Sequence, residues 1–265
     1  MYWLISLVMA GVMFSSESSL PVRTNYSLTE SNIIKVKLDE TERFEQTYPL
    51  NANGKVSVSN VNGSITIETW DRNEVKLAYV KTADTKENLD DVQIRIDARQ
   101  DTFAVETEYE AIKNRTAKNY KKLEVEYRLT VPRNAVLNEI ETVNGSVNIT
   151  GATNTTKASS VNGEVLATNL RGTANLSTVN GTVRADFDQL QAGRISLNTV
   201  NGTVDLTIPS DANATIKADT VNGKISNDFG LPVRKGEYVG SDLYGKVGSG
   251  DVQIRLNSVN GALSV

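Results

Sequence analysis

The side chains of this chain that could bind or catalyse are carboxylates, amides, hydroxyls and amines, because its 265 residues include no His and no Cys. Without His there is no Ser-His-Asp triad, no usual neutral-pH proton carrier and no common zinc hydrolase site. Without Cys there is no disulfide, thiolate nucleophile or Cys-type metal site. The net charge of −4 gives no electrostatic reason to expect nucleic-acid binding. The composition therefore argues against much enzyme chemistry.

Five carboxylates in the second half of the chain are candidates for a calcium-binding face or for the paired acids of a polysaccharide-acting enzyme. These are Asp186, Asp188, Asp205, Asp211 and Asp219. They do not recur at one phase of the repeat described below, and the calcium-binding Gly-Gly-x-Gly-x-Asp pattern is absent. Glycoside chemistry needs two carboxylates facing one cleft, and no pair stands out. We predict no catalytic residue, no metal site and no cofactor.

Aromatic and basic residues offer two further candidate binding surfaces. An aromatic platform for sugars is sparse, because residues 140–265 hold only Phe187, Phe229, Tyr238 and Tyr244. Trp70 follows a predicted strand, where a packing role is the simpler interpretation. Basic residues between Lys113 and Lys122 could contact acidic lipid or polysaccharide, although a solvated loop is the simpler interpretation. The members of this basic cluster are Lys113, Arg115, Lys118, Lys121 and Lys122.

These side chains must be positioned by a repeated triplet, Val-Asn-Gly, which occurs seven times. Its copies begin at Val61, Val143, Val161, Val179, Val200, Val221 and Val259. From the second copy onward the spacings are 18, 18, 21, 21 and 38 residues. Thr or Ser precedes the Val in six copies, and Asn60 holds that place in the first. A period near 20 residues is typical of a solenoid or another repeat array.

The triplet predicts a sharp change of direction, since Asn and Gly accept positive φ more readily than other residues. On either side of it, alternation places Thr142 with Val147 and Ile140 with Ile149 on one face. A two-residue hairpin would fit this local pattern equally well. Stacking of equivalent residues about 4.8 Å apart rewards identical copies, and stacked Asn side chains can bond to one another. We therefore expect an all-β fold, a single-stranded β-helix-like solenoid with about 18–21 residues per coil; stacked antiparallel hairpins are the alternative.

The expected stack holds the six copies from Val143 to Val259 plus one further coil inside the 38-residue gap. Six steps of about 4.8 Å give a height of roughly 29 Å. Upstream, alternating apolar positions predict a series of strands that ends at Pro132, with one short helical turn within 83–91.

The N-terminus resembles an export signal. The 12-residue apolar run from Trp3 to Phe14 would span roughly 18 Å as a helix, short of a membrane core of roughly 30 Å. Ser16 and Ser18 supply small residues before a cut after residue 18. We expect a secretory signal peptide at 1–18, a polar segment at 19–45 with one candidate strand at Ile33–Leu38, a strand-rich part at 46–139 and repeat coils at 140–265. The mature chain is expected to carry no transmembrane span.

Several segments together resemble the bacterial putative adhesin family, a domain family without an established ligand. The opening run Gly54–Ile67 with Trp70-Asp71-Arg72-Asn73, the strand end Val131-Pro132, the repeated triplets and the glycine-rich Gly245–Gly250 occur in the family's order. The resemblance covers about residues 46–265. It implies a β-solenoid-like fold and an envelope location, and it brings no catalytic residues.

We therefore expect a non-enzymatic exported protein of the bacterial periplasm or cell surface. It would act as an adhesin-like binding or structural module through the polar outer faces of its strands. Its ligand would be an unidentified envelope component, glycan or protein, and not nucleic acid. The alternatives are a β-helical enzyme that acts on polysaccharide and an envelope regulatory protein that binds a protein partner.

Overall fold

A computed structural model of the chain describes residues 39–109, 122–191, 193–236 and 239–265. The expected signal peptide, the candidate strand Ile33–Leu38, Tyr238 and the basic cluster up to Lys121 lie outside these residues. The described part is almost entirely β-structure with one short helix, as the alternating sequence predicts. Its elements are β1(Glu40–Pro49), β2(Lys55–Ser59), β3(Ile65–Trp70), β4(Glu74–Ala83), α1(Lys86–Asp90), β5(Val92–Ala98), β6(Thr102–Tyr109), β7(Leu123–Pro132), β8(Val136–Asn144), β9(Val147–Thr150), β10(Thr156–Asn162), β11(Val165–Leu170), β12(Ala174–Asn180), β13(Val183–Phe187), β14(Arg194–Asn201), β15(Val204–Thr207), β16(Ala214–Asn222), β17(Ile225–Ser226), β18(Val233–Lys235), β19(Ser241–Val247), β20(Val252–Asn260) and β21(Leu263–Ser264).

The strands form two sheets around one hydrophobic core. Sheet 1 has the order β1-β4-β7-β3-β9-β11-β13-β15-β21-β17. Sheet 2 has the order β18-β19-β16-β20-β14-β12-β10-β8-β2-β6-β5. Each repeat contributes one strand to sheet 2, crosses at Asn-Gly, and contributes the next strand to sheet 1. The triplet therefore lies at the corner between the two sheets.

Within the repeat, neighbouring strands are parallel and in register. Lys157 pairs with Asn175 and Asn175 pairs with Ser196 in sheet 2, while Val147 pairs with Val165 and Val165 pairs with Val183 in sheet 1. The all-β class is confirmed, and the fold is solenoid-like. Antiparallel hairpins do not describe these coils, because no two successive strands of the repeat pair with each other.

Both ends of the stack depart from this parallel pattern, so the two sheets are mixed. At the N-terminal end, β1, β4 and β7 pair antiparallel in sheet 1, and β5 pairs antiparallel with β6 in sheet 2. At the other end, β19 pairs antiparallel with both β16 and β18. The helix α1 contributes buried Leu89 to the core at the first end. These segments give the terminal coils backbone partners, which limits the length of unpaired strand edge.

The order of the last coils differs from the expectation of one more coil inside the 38-residue gap. Residues 228–250 carry no Val-Asn-Gly triplet, and they supply the antiparallel strands β18 and β19 instead. The final copy returns into the stack, where β20 lies between β14 and β16. The seventh member of the stack is the first copy at Val61, which lies beside the copy at Val143. Six steps of about 4.8 Å again give a height of about 29 Å.

The core contains the inward positions that alternation assigned. Thr142, Val147, Ile140 and Ile149 are all buried, as the shared-face prediction requires. Ile208 is only half-buried, because β15 ends one residue before it. Burial of these aliphatic side chains along every coil is the main favourable contribution to folding.

Candidate functional site

The corner of each coil is built on close stacking of glycines. A Cβ atom added to Gly163 would lie less than 3.0 Å from the backbone carbonyl of Gly145 in the neighbouring coil, and the other six triplet glycines face a carbonyl in the same way. Among these seven, only four have positive φ, and three of those values are +156° to +159°. The triplet Asn residues have no positive φ. The turn-dihedral explanation therefore does not apply to Gly145, Gly163 and Gly223, whereas close approach of the next backbone explains the glycine in all seven copies.

The hydroxyl residue before each Val completes this corner. Thr178 Oγ1 donates to the carbonyl oxygen of Gly163 at 2.9 Å, and Ser160 Oγ donates to that of Gly145 at 2.8 Å. The same bond recurs in every coil that carries Thr or Ser there. These hydroxyl groups are buried, so each bond satisfies two groups that would otherwise lose water without a replacement. The Thr/Ser preference in the sequence follows from this contact.

The triplet Asn side chains form one continuous hydrogen-bonded row, which we call the Asn ladder. In the spatial order that starts at Asn62, the Nδ2 of every later Asn donates to the Oδ1 of the Asn before it at 2.8–2.9 Å. The members in spatial order are Asn62, Asn144, Asn162, Asn180, Asn201, Asn260 and Asn222. The predicted bonding of stacked Asn side chains is confirmed. Because each Asn bonds to its neighbours in the stack, the ladder holds the coil spacing.

Beside the ladder, the triplet Val residues form a second row on the outer side of sheet 2, which we call the Val row. Six of its members are 38–47% exposed, and Val61 at the N-terminal end is half-buried. The row consists of Val61, Val143, Val161, Val179, Val200, Val259 and Val221. Only two other large apolar side chains, Val239 and Tyr244, are comparably exposed among the described residues. Most exposed large apolar side chains of the described chain thus lie on one line.

A shallow groove of 540 Å³ follows the Val row. Its lining combines Val161, Val179 and Val200 with the polar column beside them, which consists of Ser59, Glu141, Ser159, Ser177 and Asn198. The surface is therefore apolar along one side and polar, with one carboxylate, along the other. Sequence reasoning placed recognition on polar outer faces and missed this apolar row. Strict alternation contained the signal, because each Val follows a Thr or Ser that points inward.

At the N-terminal end, a buried polar cluster replaces the corner hydroxyl. Asn60 Nδ2 donates to the carbonyl of Val125 at 2.7 Å, and Thr107 Oγ1 donates to Asn60 Oδ1 at 3.0 Å. Thr107 Oγ1 also lies 2.7 Å from the Tyr127 hydroxyl. Burial raises the pKa of Tyr127 far above its ordinary value, although the Thr107 hydrogen bond lowers it slightly. The cluster joins the two sheets at the first copy of the triplet, where Asn60 replaces the Thr or Ser that precedes Val in the other copies.

Of the five candidate carboxylates, only Asp188 and Asp211 line a common pocket, of about 480 Å³, which Asp251 also lines. Asp188 is 3.5 Å from Arg171 there. The others lie apart: Asp205 is 3.3 Å from Arg184 and accepts from Ser264, Asp219 lies on sheet 2, 3.6 Å from Lys217, and Asp186 is half-buried in β13. No group of three His, Cys, Asp or Glu side chains in the described residues is arranged to hold a metal ion.

The remaining candidates are scattered. Trp70 Nε1 donates to the Glu74 carbonyl at 2.8 Å and its ring lies under Arg72, so it closes the turn between β3 and β4. Phe187 is buried and Phe229 half-buried, whereas Tyr244 is 62% exposed. Lys122, the described member of the basic cluster, bonds to Asp39 at 2.6 Å. Within the part of the chain that is described, no helix is long and apolar enough to span a membrane.

The model of the Toastrack DUF4097 family matches residues 10–265 of the chain. No curated protein matches the chain. Three solved structures are similar over most of its length: a putative cell adhesion protein of Clostridium sporogenes (15% identity, 84% of this chain and 98% of that one, TM-score 0.49), a putative adhesin of Bacteroides fragilis (12%, 84% and 97%, 0.30), and a putative lipid binding protein of Parabacteroides distasonis (11%, 85% and 96%, 0.31).

Proposed function

Since the chain belongs to the Toastrack DUF4097 family, we propose that it is a non-enzymatic binding or structural module of the bacterial envelope. Its scaffold would be a β-solenoid with 18–21 residues per coil. The residues of the repeat support this proposal directly. The corner amides and hydroxyls bond to neighbouring coils, and the repeat leaves a regular exposed surface along the stack.

The observation that carries the proposal is the Val row. A side chain at this outward position does not contribute to the core, and Thr would serve the strand equally well. Exposed Val is nevertheless present in six of the seven copies, and it is held in line by the Asn ladder. A continuous exposed apolar line with a polar flank is typical of an interaction surface. We infer that ligand contact occurs along this row and its groove.

The proposed location rests on the apolar run near the N-terminus. We propose that residues 1–18 direct export and are removed, and that the mature protein acts in the periplasm or at the cell surface. The ligand would be an envelope component, a glycan or a protein. Binding to isolated envelope material, rather than turnover of a polysaccharide, is the activity to measure.

The test compares the purified mature chain with the double variant Val161→Lys/Val179→Lys in co-sedimentation with isolated bacterial cell envelopes. Two ammonium groups in the groove oppose apolar contact, so we expect binding to fall by about tenfold or more. The matched control is Thr150→Lys/Thr207→Lys, which adds the same charge on the exposed face of sheet 1. It should bind like the wild type.

Retained binding by the Val161/Val179 variant, or an equal loss in the Thr150/Thr207 control, would contradict the assignment. If the lysines lower the melting temperature, Val161→Ser/Val179→Ser supplies a milder change at the same two sites. That variant should keep the fold and still bind more weakly. Release of soluble sugar from the envelopes by the wild type would contradict the non-enzymatic proposal.

A further inference from the structure

Basic side chains gather on the outer face of sheet 2 towards its C-terminal end. The parallel and antiparallel registers align one row across six strands, in the order Lys157, Asn175, Ser196, Arg255, Lys217 and Tyr244. The next row aligns Arg194, Gln253, Thr215 and Lys246. We call the five cations and Tyr244 of these two rows the basic face. It lies beyond the column that flanks the Val row, so it extends the proposed binding surface.

The cations of the basic face are poorly neutralised. Lys157, Arg194, Lys246 and Arg255 are exposed and have no ion pair among the described residues, while Lys217 lies 3.6 Å from Asp219. Elsewhere in the described chain many cations are paired more closely, such as Lys76 with Glu45 at 2.8 Å. The whole chain carries a net charge of −4. The two rows contain five cations and no carboxylate, so they form a positive stripe, which attracts anions. The column beside this stripe carries Asp219 and Asp242, and Asp242 is paired with Arg234 at 2.7 Å.

Neighbouring contacts restrict how these cations are presented. The aliphatic part of Lys246 packs over Gly250, where an added Cβ would meet it at 2.7–2.8 Å. Arg255 Nε donates to Asn257 Oδ1 at 3.4 Å, and Asn257 Nδ2 in turn donates to Asn198 at 2.7 Å. The stacked coils thus hold the charges at fixed intervals. The five steps from Lys157 to Tyr244 span about 24 Å.

The spacing favours an extended polymer that carries repeated single charges. The cations lie along a line instead of converging on one point, as a clamp for a single phosphate would require. Between them, Asn175, Ser196 and Gln253 offer amide and hydroxyl groups of the kind that bond to sugar hydroxyls. Tyr244, 62% exposed at the end of the row, supplies one face for a sugar ring.

Two other polyanions fit less well. Single-stranded nucleic acid is bound through successive aromatic side chains on which bases stack, and the two rows hold only Tyr244. An anionic membrane would be favoured by apolar side chains among the cations, and the rows contain none apart from that ring.

On the N-terminal side the face continues into Glu139 and Glu141, whose charges would repel an anion beyond Lys157.

Resting on the binding function proposed above, we propose that the basic face binds an acidic polysaccharide, with sugar carboxylates on Arg255, Lys217 and their neighbouring cations. A chain of such sugars would lie along the stack axis, across the strands. The Val row would contact the same envelope material alongside it.

The test measures binding of the mature chain to fluorescently labelled polygalacturonate by anisotropy, at low and physiological salt. Neutral dextran, single-stranded DNA and phosphatidylglycerol vesicles are the comparison probes. The double variant Lys217→Gln/Arg255→Gln should bind polygalacturonate about tenfold more weakly or worse at low salt, and with a shallower salt dependence. The matched control is Arg43→Gln/Arg128→Gln, which removes two exposed cations that lack an ion pair in the described sheet 1. It should bind like the wild type.

Absence of binding to polygalacturonate, equal binding to dextran, or tighter binding to DNA or vesicles would overturn the assignment. So would an equal loss in the Arg43/Arg128 control. Envelope co-sedimentation separates this proposal from the one on which it rests. If the chain binds envelopes through the Val row but does not bind polygalacturonate, only the proposal for the basic face is refuted. If it binds neither envelopes nor polygalacturonate, the proposed binding function itself is refuted.

Discussion

Replacing Gly163 with Ala tests why the repeat requires glycine at its corner. Gly163 has no positive φ, so an alanine there introduces no left-handed strain. Its Cβ would instead overlap the Gly145 carbonyl. Such overpacking costs about 1–3 kcal/mol. Disturbing the 2.9 Å bond from Thr178 to the Gly163 carbonyl and the 3.1 Å bond from Gly163 N to Asn180 O adds about 0.5–1.5 kcal/mol for each bond lost.

The expected total for Gly163→Ala is about 2–6 kcal/mol, which corresponds to about 4–24 °C in melting temperature for a domain of this size. Gly230→Ala is the matched control, because Gly230 has φ of +66° and no atom within 4 Å of an added Cβ. It isolates the left-handed penalty, about 1–2 kcal/mol. Thermal and urea unfolding should therefore rank Gly163→Ala as the more damaging change. A smaller effect at Gly163 than at Gly230 would refute the stacking explanation and restore the turn-dihedral one.

Two further predictions concern side-chain hydrogen bonds. Asn162→Ala removes two bonds of the Asn ladder, those to Asn144 at 2.9 Å and from Asn180 at 2.8 Å. It should lower the free energy of unfolding in urea by about 1–2 kcal/mol. An unchanged free energy would mean that the ladder does not stabilise the fold. Burial raises the pKa of Tyr127 above its ordinary 10.0, so the folded state keeps a proton that the unfolded state loses. This stabilisation is complete while the pH stays below the ordinary tyrosine pKa of 10.0, and it is lost as the pH rises through the raised pKa of the folded state. The free-energy difference between wild type and Tyr127→Phe should therefore shrink between about pH 9 and pH 11, and a difference that grows would contradict the burial.

The coil architecture was accessible from the sequence because stacking imposes the same demands on every copy. Thr142 and Val147 fall on the buried face by alternation alone, and the identity of the triplets indicates parallel stacking. The chemistry of the corner was only partly accessible. The Asn bonds could be anticipated, whereas the reason for Gly163 required knowledge of how closely the backbone of the next coil approaches.

The order of the last coils could not be read from the sequence. A spacing of 38 residues is compatible with a further coil, and local pattern does not reveal that β20 returns between β14 and β16. The basic face was also inaccessible, since Lys157 and Lys217 become members of one row only through the register of four intervening pairings. Surfaces formed across coils depend on spatial order, which the chain order does not give.

Cysteine pairs measure that spatial order directly, and the chain has no native Cys to interfere. Neighbouring parallel strands lie about 4.8 Å apart, within the Cα range that a disulfide accepts. The pair Val200→Cys/Val259→Cys should therefore form an intramolecular disulfide under mild oxidation. The pair Val200→Cys/Val221→Cys, neighbours in chain order but separated in space by β20, should stay reduced. Disulfide formation in the second pair and not in the first would contradict the stacked arrangement from which the Val row and the basic face are both derived.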